Sequence, residues 1–342
     1  MKTSHWWKGP VKADPDFGQL LKVLRREVPD RPTLFEFFLN AELQAFLAGD
    51  DERTPENTVH AFRNAGYDYA TICASDFSFP LAEQAHAATI SQNEGVRITD
   101  RTSFEQYPWP DPNLCDYTPL ERAAAARPEG MQLICHGPGG VIENMISLVG
   151  YDNLCYLLVD DPALTREIFD AIGTRLVAFY KILLQHDAVG AIIGNDDWGY
   201  KTQPMIAPDD MRAYVVPWHR QIAAAAHATG KPAIMHSCGN LVTLMDDIID
   251  DIGYDAKHSY EDTIMPVETA YDTYGHRIAI LGGLDLDFVI RSPEAAVYKR
   301  AGQMLERAAE KGGYALGTGN SVPAYVPAEH YFAMTAAALE QR

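Results

Sequence analysis

Cysteine is scarce. Five thiols (Cys73, Cys115, Cys135, Cys155 and Cys238) are scattered over 342 residues with no CxxC pair, an odd number and a spacing that argue against a disulfide framework. Basic residues are also short: 28 Lys+Arg stand against 47 Asp+Glu, a formal net charge of -19. Such an excess repels phosphate backbones and anionic lipid, so nucleic acid and membrane surfaces are poor partners. No apolar run approaches the roughly 18 residues a membrane span needs, and the opening MKTSHWWKGP has no apolar signal core. A reduced, cytoplasmic protein acting on a small molecule is the expectation. No GxGxxG spacing, low-complexity tract or internal repeat is present either, and no Gly/Ser/Pro-rich linker divides the chain.

Short apolar runs alternate with helical patterns. Thr54-Pro55 starts a helix that stops at Gly66, and Tyr69 to Cys73 then reads as a buried strand. Met131 to Cys135, Val189 to Ile193, Pro232 to His236, Asp255 to His258, Arg277 to Leu281 and Tyr314 to Leu316 repeat that signal. Helices are predicted between them over Pro162 to Leu184, Pro208 to Ala228, Leu241 to Ile249, Pro293 to Glu310 and Pro327 to Leu339. With Thr33 to Phe37 and a weak run at Val96 to Ile98, about eight strands suit an α/β fold of the closed (β/α)8 TIM-barrel type. An open doubly wound sheet is the other arrangement. One domain over 1–342 is expected, with 1–32 as an N-terminal extension and roughly 100–130, rich in Pro108, Pro110 and Pro112, as a loop-rich cover.

Loops after barrel strands build active sites, and polar residues follow nearly every apolar run. Glu36 lies within the first, Asp76 follows the second, and Asn195-Asp196-Asp197-Trp198-Gly199-Tyr200-Lys201 follows Ile193. His236-Ser237-Cys238 comes after Ile234, His258 and Glu261 after Ala256, and Thr318-Gly319-Asn320 after Leu316. His236 and Cys238, two apart on an extended segment, point the same way and can share one ion, zinc by donor type. Taken alone, HxC is equally a histidine beside a buried thiol. A third donor is required, and Glu36, Asp76, Asp196 and Asp197 are all candidates. Asp196-Asp197 also reads as a substrate-binding pair or a helix cap, and Lys201 as a surface ion-pair partner.

These strand-end motifs resemble the uroporphyrinogen decarboxylase superfamily, which includes zinc methyltransferases that act with corrinoid proteins. YATICASDFSF resembles the strand ending in the decarboxylase's key aspartate, which places Asp76 there. GNDDWGY resembles the phenylalanine-aspartate-serine-tryptophan segment, HSCGN the histidine-x-cysteine zinc motif of the methyltransferase branch, and ALGTGNSVPAYVP the terminal strand end of both branches. The resemblance runs from about Pro32 to the C-terminus.

The departures favour one branch. Thr33-Leu34-Phe35-Glu36-Phe37-Phe38 lacks the arginines that hold a polycarboxylate porphyrinogen, Met145 stands where the decarboxylase has a tyrosine, and Thr318 where it has a late histidine. Thiol-methylating members carry a third zinc cysteine at the Thr318 position; a carboxylate donor would make the zinc more Lewis acidic and suited to a leaving oxygen. The resemblance therefore implies methyl transfer from a small O-methylated substrate, a methoxy-aromatic among the options, to the cobalamin-type cobalt of a corrinoid-binding partner protein. His236, Cys238 and Glu36 are assigned to the metal, with Asp76 and Asp196 as alternative donors. Asp76, Asp196 and His258 are assigned catalytic roles, while Asp197, Tyr200, Lys201, Glu261 and Asn320 are assigned to substrate. Phe35, Phe37, Phe38, Phe77, Phe79 and Trp198 are available to stack on a ring. Members commonly dimerise, so a homodimer is expected. Competing readings are a small-acid decarboxylase or lyase, a methylcorrinoid:thiol methyltransferase, and a ligand-binding member without turnover.

Overall fold

The computed structural model describes residues 4–12, 14–82, 92–93 and 95–342. Apolar runs become the strands β1 (Tyr69–Cys73), β2 (Gln132–His136), β3 (Val189–Asn195), β4 (Ala233–His236), β5 (Ala256–His258), β6 (Ala279–Leu281) and β7 (Tyr314–Ala315). They pair in parallel in chain order. Strands covered on both faces carry continuous rather than alternating hydrophobicity, and nearly every strand residue is buried.

The eighth position is the segment around Leu34, which closes the (β/α)8 barrel. Leu34 bridges Leu316 in parallel, with the Phe35 amide donating to Leu316 O (2.7 Å) and the Leu316 amide to Thr33 O (2.9 Å). Its other flank is closed by a side chain. The Tyr69 hydroxyl accepts from the Glu36 amide and donates to the Glu36 carbonyl, both at 2.7 Å.

The run Val96 to Ile98 is not a strand. Its Arg97 and Ile98 amides both donate to Leu148 O, the end of the helix Val141–Val149, so a helix terminus takes the donors a ladder would need. The helix predicted over Pro208 to Ala228 is interrupted: Met211–Val215 is a wide turn before Val216–His227, because Pro217 has no N–H to donate one turn back. The stretch 241–249 likewise divides, into a tight turn at Val242–Leu244 and a wide one at Asp247–Ile252. Helices Arg101–Gln106 and Thr118–Ala126 flank the proline cluster, and helix Phe17–Leu24 lies in the N-terminal segment. Phe17 donates its amide to Gly130 O just before β2, and its ring meets Gly190 in β3 so closely that a Cβ there would lie 2.6 Å away. That helix covers the floor of the barrel, which leaves the C-terminal strand ends as the open face.

Tyr69→Phe deletes both hydrogen bonds of the seam, leaving the buried Glu36 amide unpaired and its carbonyl with only the long bond from the Thr71 hydroxyl (3.4 Å). We expect it to lower stability by about 2–4 kcal/mol, measured by urea unfolding; an unchanged midpoint would mean that the Leu316 side alone closes the barrel.

Candidate functional site

Parallel register sets one ring of side chains at the top of the barrel. Cys73 is level with His136, Asn195 with His236, and His236 with His258. Level residues of paired parallel strands face the same side. Phe37 packs on His136 (5.1 Å between ring centroids) and on His236 (4.5 Å), and Phe35 on His258 (5.1 Å), so the histidines share the lumen with the first segment's aromatics.

Two residues beyond Asn195 and His236, on the same side, stand Asp197 and Cys238. Their loops touch backbone to backbone at Gly199 and Gly239. Gly239 is left-handed (φ 86°), and a Cβ on it would come 2.1 Å from the Gly199 carbonyl carbon; only glycine permits that approach. The contact lets the Cys238 amide donate to Asp197 Oδ1 (2.9 Å). His236 Nε2 then lies 3.9 Å from both Asp197 Oδ1 and Cys238 Sγ. One carboxylate oxygen, one imidazole nitrogen and one sulfur fall within 4.8 Å of one another, the only three-donor cluster of this kind among the described residues.

Neighbours orient those donors. Thr318 O can only accept, so His258 Nε2 donates to it (3.4 Å) and its Nδ1 is the acceptor. His236 Nδ1 therefore donates to His258 Nδ1 (2.8 Å), and the His236 Nε2 lone pair is left facing Asp197 and Cys238. Burial, ahead of neighbouring charges, keeps both rings neutral: His258 is pushed down to about 3 and His236 well below its ordinary value. The Cys238 sulfur accepts from Asn320 Nδ2 (3.1 Å) and Ser259 Oγ (3.4 Å). Burial and then the Asp197 charge push its thiol up to about 12, so without a cation it is protonated; a bound cation reverses that balance.

The remaining predicted residues sort clearly. Glu36, assigned from the sequence as the third metal donor, is placed elsewhere: its Oε1 accepts from the Thr318 amide and its Oε2 lies 2.7 Å from Thr318 Oγ1. Asp197 occupies the position expected of Glu36. Asp196 faces away from the cluster and is enclosed. Its oxygens accept from the amides of Val141, Ile142 and Glu143, capping the helix Val141–Val149, and from Trp198 Nε1 and His219 Nε2, all at 2.9–3.1 Å. Asp76 is exposed and ties the Asp116 amide (2.8 Å). Tyr200 is 68% exposed. Lys201, Glu261 and Asn320 do come together, lining a cavity of about 530 Å³ at the barrel mouth, where Asn320 links it to Cys238.

Three residues were missed. His136 is anchored by Nδ1 on Gly137 O (3.0 Å), and burial pushes it down to about 4. Asn195 has a buried Oδ1 with no hydrogen-bond partner among the described residues. Glu143 holds the Gly140 amide (3.0 Å), and burial, then the charges of Asp196 and Asp197, push its carboxyl up to about 8. The polar residue ending β2 or β3 was a usable signal for the first two; Glu143, inside the helix Val141–Val149, carried none.

The family model "Uroporphyrinogen decarboxylase (URO-D)" matches residues 47–341. The chain belongs to this family. A uroporphyrinogen decarboxylase from Chloroflexus aggregans (strain MD-66 / DSM 9485) is 24% identical over 180 residues, 51% of this chain and 47% of that protein, so the match spans about half of the relative's length. Among solved structures, a methyltransferase from Methanosarcina mazei superposes with a TM-score of 0.67 at 14% identity, covering 94% of this chain and 97% of that one. That likeness establishes the shared barrel. No described helix is long and apolar enough to cross a membrane.

Glu36 generates a pH prediction. Burial pushes its carboxyl up to about 8 from an ordinary 4.5, so the folded state holds a proton that the unfolded chain releases. Stability should fall as pH rises between about 4.5 and 8. In Glu36→Gln that part of the fall should vanish, checked by chemical denaturation across this range; parallel curves for the two proteins would show that Glu36 is ionised in the fold.

Proposed function

We propose that the protein is a zinc-dependent methyltransferase that moves a methyl group from a small O-methylated compound to the cobalt of a corrinoid carried by a partner protein. The observation that carries this reading is the convergence of Asp197, His236 and Cys238 within 4.8 Å at the barrel mouth. One thiolate, one imidazole and one carboxylate form a set that zinc accepts, and three protein donors leave a position for substrate. When bound, zinc supplies a Lewis acid for the substrate oxygen, and the partner's corrinoid supplies the methyl acceptor.

The chain's own residues do the rest. His258 fixes the His236 tautomer, and Asn320 and Ser259 hold the sulfur in place. Lys201, Glu261 and Asn320 border the cavity in which substrate would sit. Asn195 Oδ1 and the His136 ring offer acceptors from the strand ends. The departing oxygen needs a proton, and Glu143, a buried carboxyl beside Asp197 whose affinity for a proton is raised first by burial, is assigned as the acid that gives it. His258, held neutral with both nitrogens engaged, serves as a positioning residue. The fold shared with the Methanosarcina mazei methyltransferase agrees with this reading.

The test mixes zinc-loaded protein with a reduced corrinoid protein and a panel of methoxy-aromatics, methylamines and methylthiols, following loss of cobalt(I) absorbance. Transfer from a methoxy-aromatic is expected, with Asp197→Asn, His236→Ala and Cys238→Ser each slower by at least about 100-fold. Transfer from no member of the panel, or variants as fast as the parent, would refute the proposal.

A further inference from the structure

Facing alternates along a regular strand, so in β5 Ala256 and His258 share the lumen side while Lys257 points out. Ser259 should point out as well. Instead its backbone is left-handed (φ 90°), and its hydroxyl reaches back to the lumen side, 3.4 Å from Cys238 Sγ. Tyr260, the next residue, turns outward, with the Lys257 ammonium 4.4 Å over its ring. A serine at positive φ is strained, and such a conformation persists only where its surroundings impose it.

Lys257 imposes it. This side chain is 3% exposed, and its Nζ donates to Ser259 O (2.6 Å) and to Ser237 O (3.3 Å). Ser237 stands between His236 and Cys238 in the chain, and its hydroxyl accepts from the amide of Trp198 (3.0 Å), the residue after Asp197. One ammonium on the outer side thus ties together the segments that carry all three members of the cluster. A neutral side chain could fill the same space without the cost of burying a charge, since among the described residues no acid pairs with this one. Burial pushes the Lys257 amine down to about 8, and the charges that oppose the fall are those of Cys238, then Asp197 and Glu261. The first two belong to the cluster.

We infer that Lys257 is a positioning residue of the metal centre: its grip on the Ser237 and Ser259 carbonyls holds Ser259 in its strained conformation and so presents the Cys238 sulfur to a bound cation. This role rests on the reading of Asp197, His236 and Cys238 as a zinc site. Coupling between two positions is reciprocal, so what Lys257 does for zinc, zinc must do for Lys257.

Two measurements on the full chain test this, with zinc as the probe. In the first, zinc affinity is read by competition with a chromophoric chelator. Cys238→Ser, the control for the zinc site itself, should lose tight binding. Lys257→Met, which keeps the length of the side chain, should weaken zinc by about tenfold or more, and Ser259→Ala by a few-fold. In Ser259→Gly, where positive φ needs no support, adding Lys257→Met should cost much less than it does in the parent. In the second, the unmodified protein is acetylated and read by mass spectrometry. Zinc should slow modification of Lys257 several-fold and magnesium should not. Lys231, which makes a similar pair of contacts at the barrel floor (2.7 Å to Leu184 O and 2.9 Å to His186 O), should keep its rate. No variant has to fold for that comparison. The proposal is overturned by equal zinc affinity of the parent and Lys257→Met, by an undiminished cost of Lys257→Met in the Ser259→Gly background, or by acetylation of Lys257 at the same rate with and without zinc; loss of zinc in Cys238→Ser would then leave the zinc site standing. Equal zinc affinity of the parent and Cys238→Ser overturns both.

Discussion

The hydrogen bond from the Cys238 amide to Asp197 Oδ1 is the contact on which the site depends. It exists because β3 and β4 are parallel with Asn195 level with His236, so that the residue two further on each strand end emerges on the same side. The Gly199–Gly239 approach then brings the two loops together. Remove either condition and a carboxylate, an imidazole and a sulfur from separate segments no longer share a centre.

Around that centre the barrel spends buried polarity on holding things still. Asp196 receives five donors and thereby ties the β3 end to the helix Val141–Val149 and to His219. Glu36 and Thr318 join the first segment to the last strand end, and Thr318 O in turn orients His258. The chain of contacts from Thr318 through His258 to His236 ends in a nitrogen lone pair aimed at the cluster. Such outer contacts set tautomer and direction and are as necessary as the donors themselves.

Much of this could be read before the fold was seen. Seven apolar runs became the strands, and HxC proved to be an aligned pair because spacing by two on an extended chain is unambiguous. Asp196 and Asp197 show the limit: adjacent acids are equivalent in composition, and only strand parity decides that one caps a helix while the other meets Cys238. Glu36 misled because it lies in the barrel-closing segment just after Leu34 rather than in a loop following a full strand, and there its carboxyl is drawn to the Thr318 amide, a partner 282 positions away. The run at 96–98 failed for a related reason, since Val96 and Ile98 on either side of Arg97 do not reveal that a helix end will take the amides of 97 and 98.

The central claim is that Asp197, His236 and Cys238 together hold zinc. Zinc K-edge absorption spectroscopy on protein reconstituted with one equivalent tests it most directly. The account predicts one sulfur neighbour at about 2.3 Å, lost in Cys238→Ser, with nitrogen and oxygen neighbours at about 2.0–2.2 Å. A spectrum without sulfur, or one unchanged by Cys238→Ser, would contradict it.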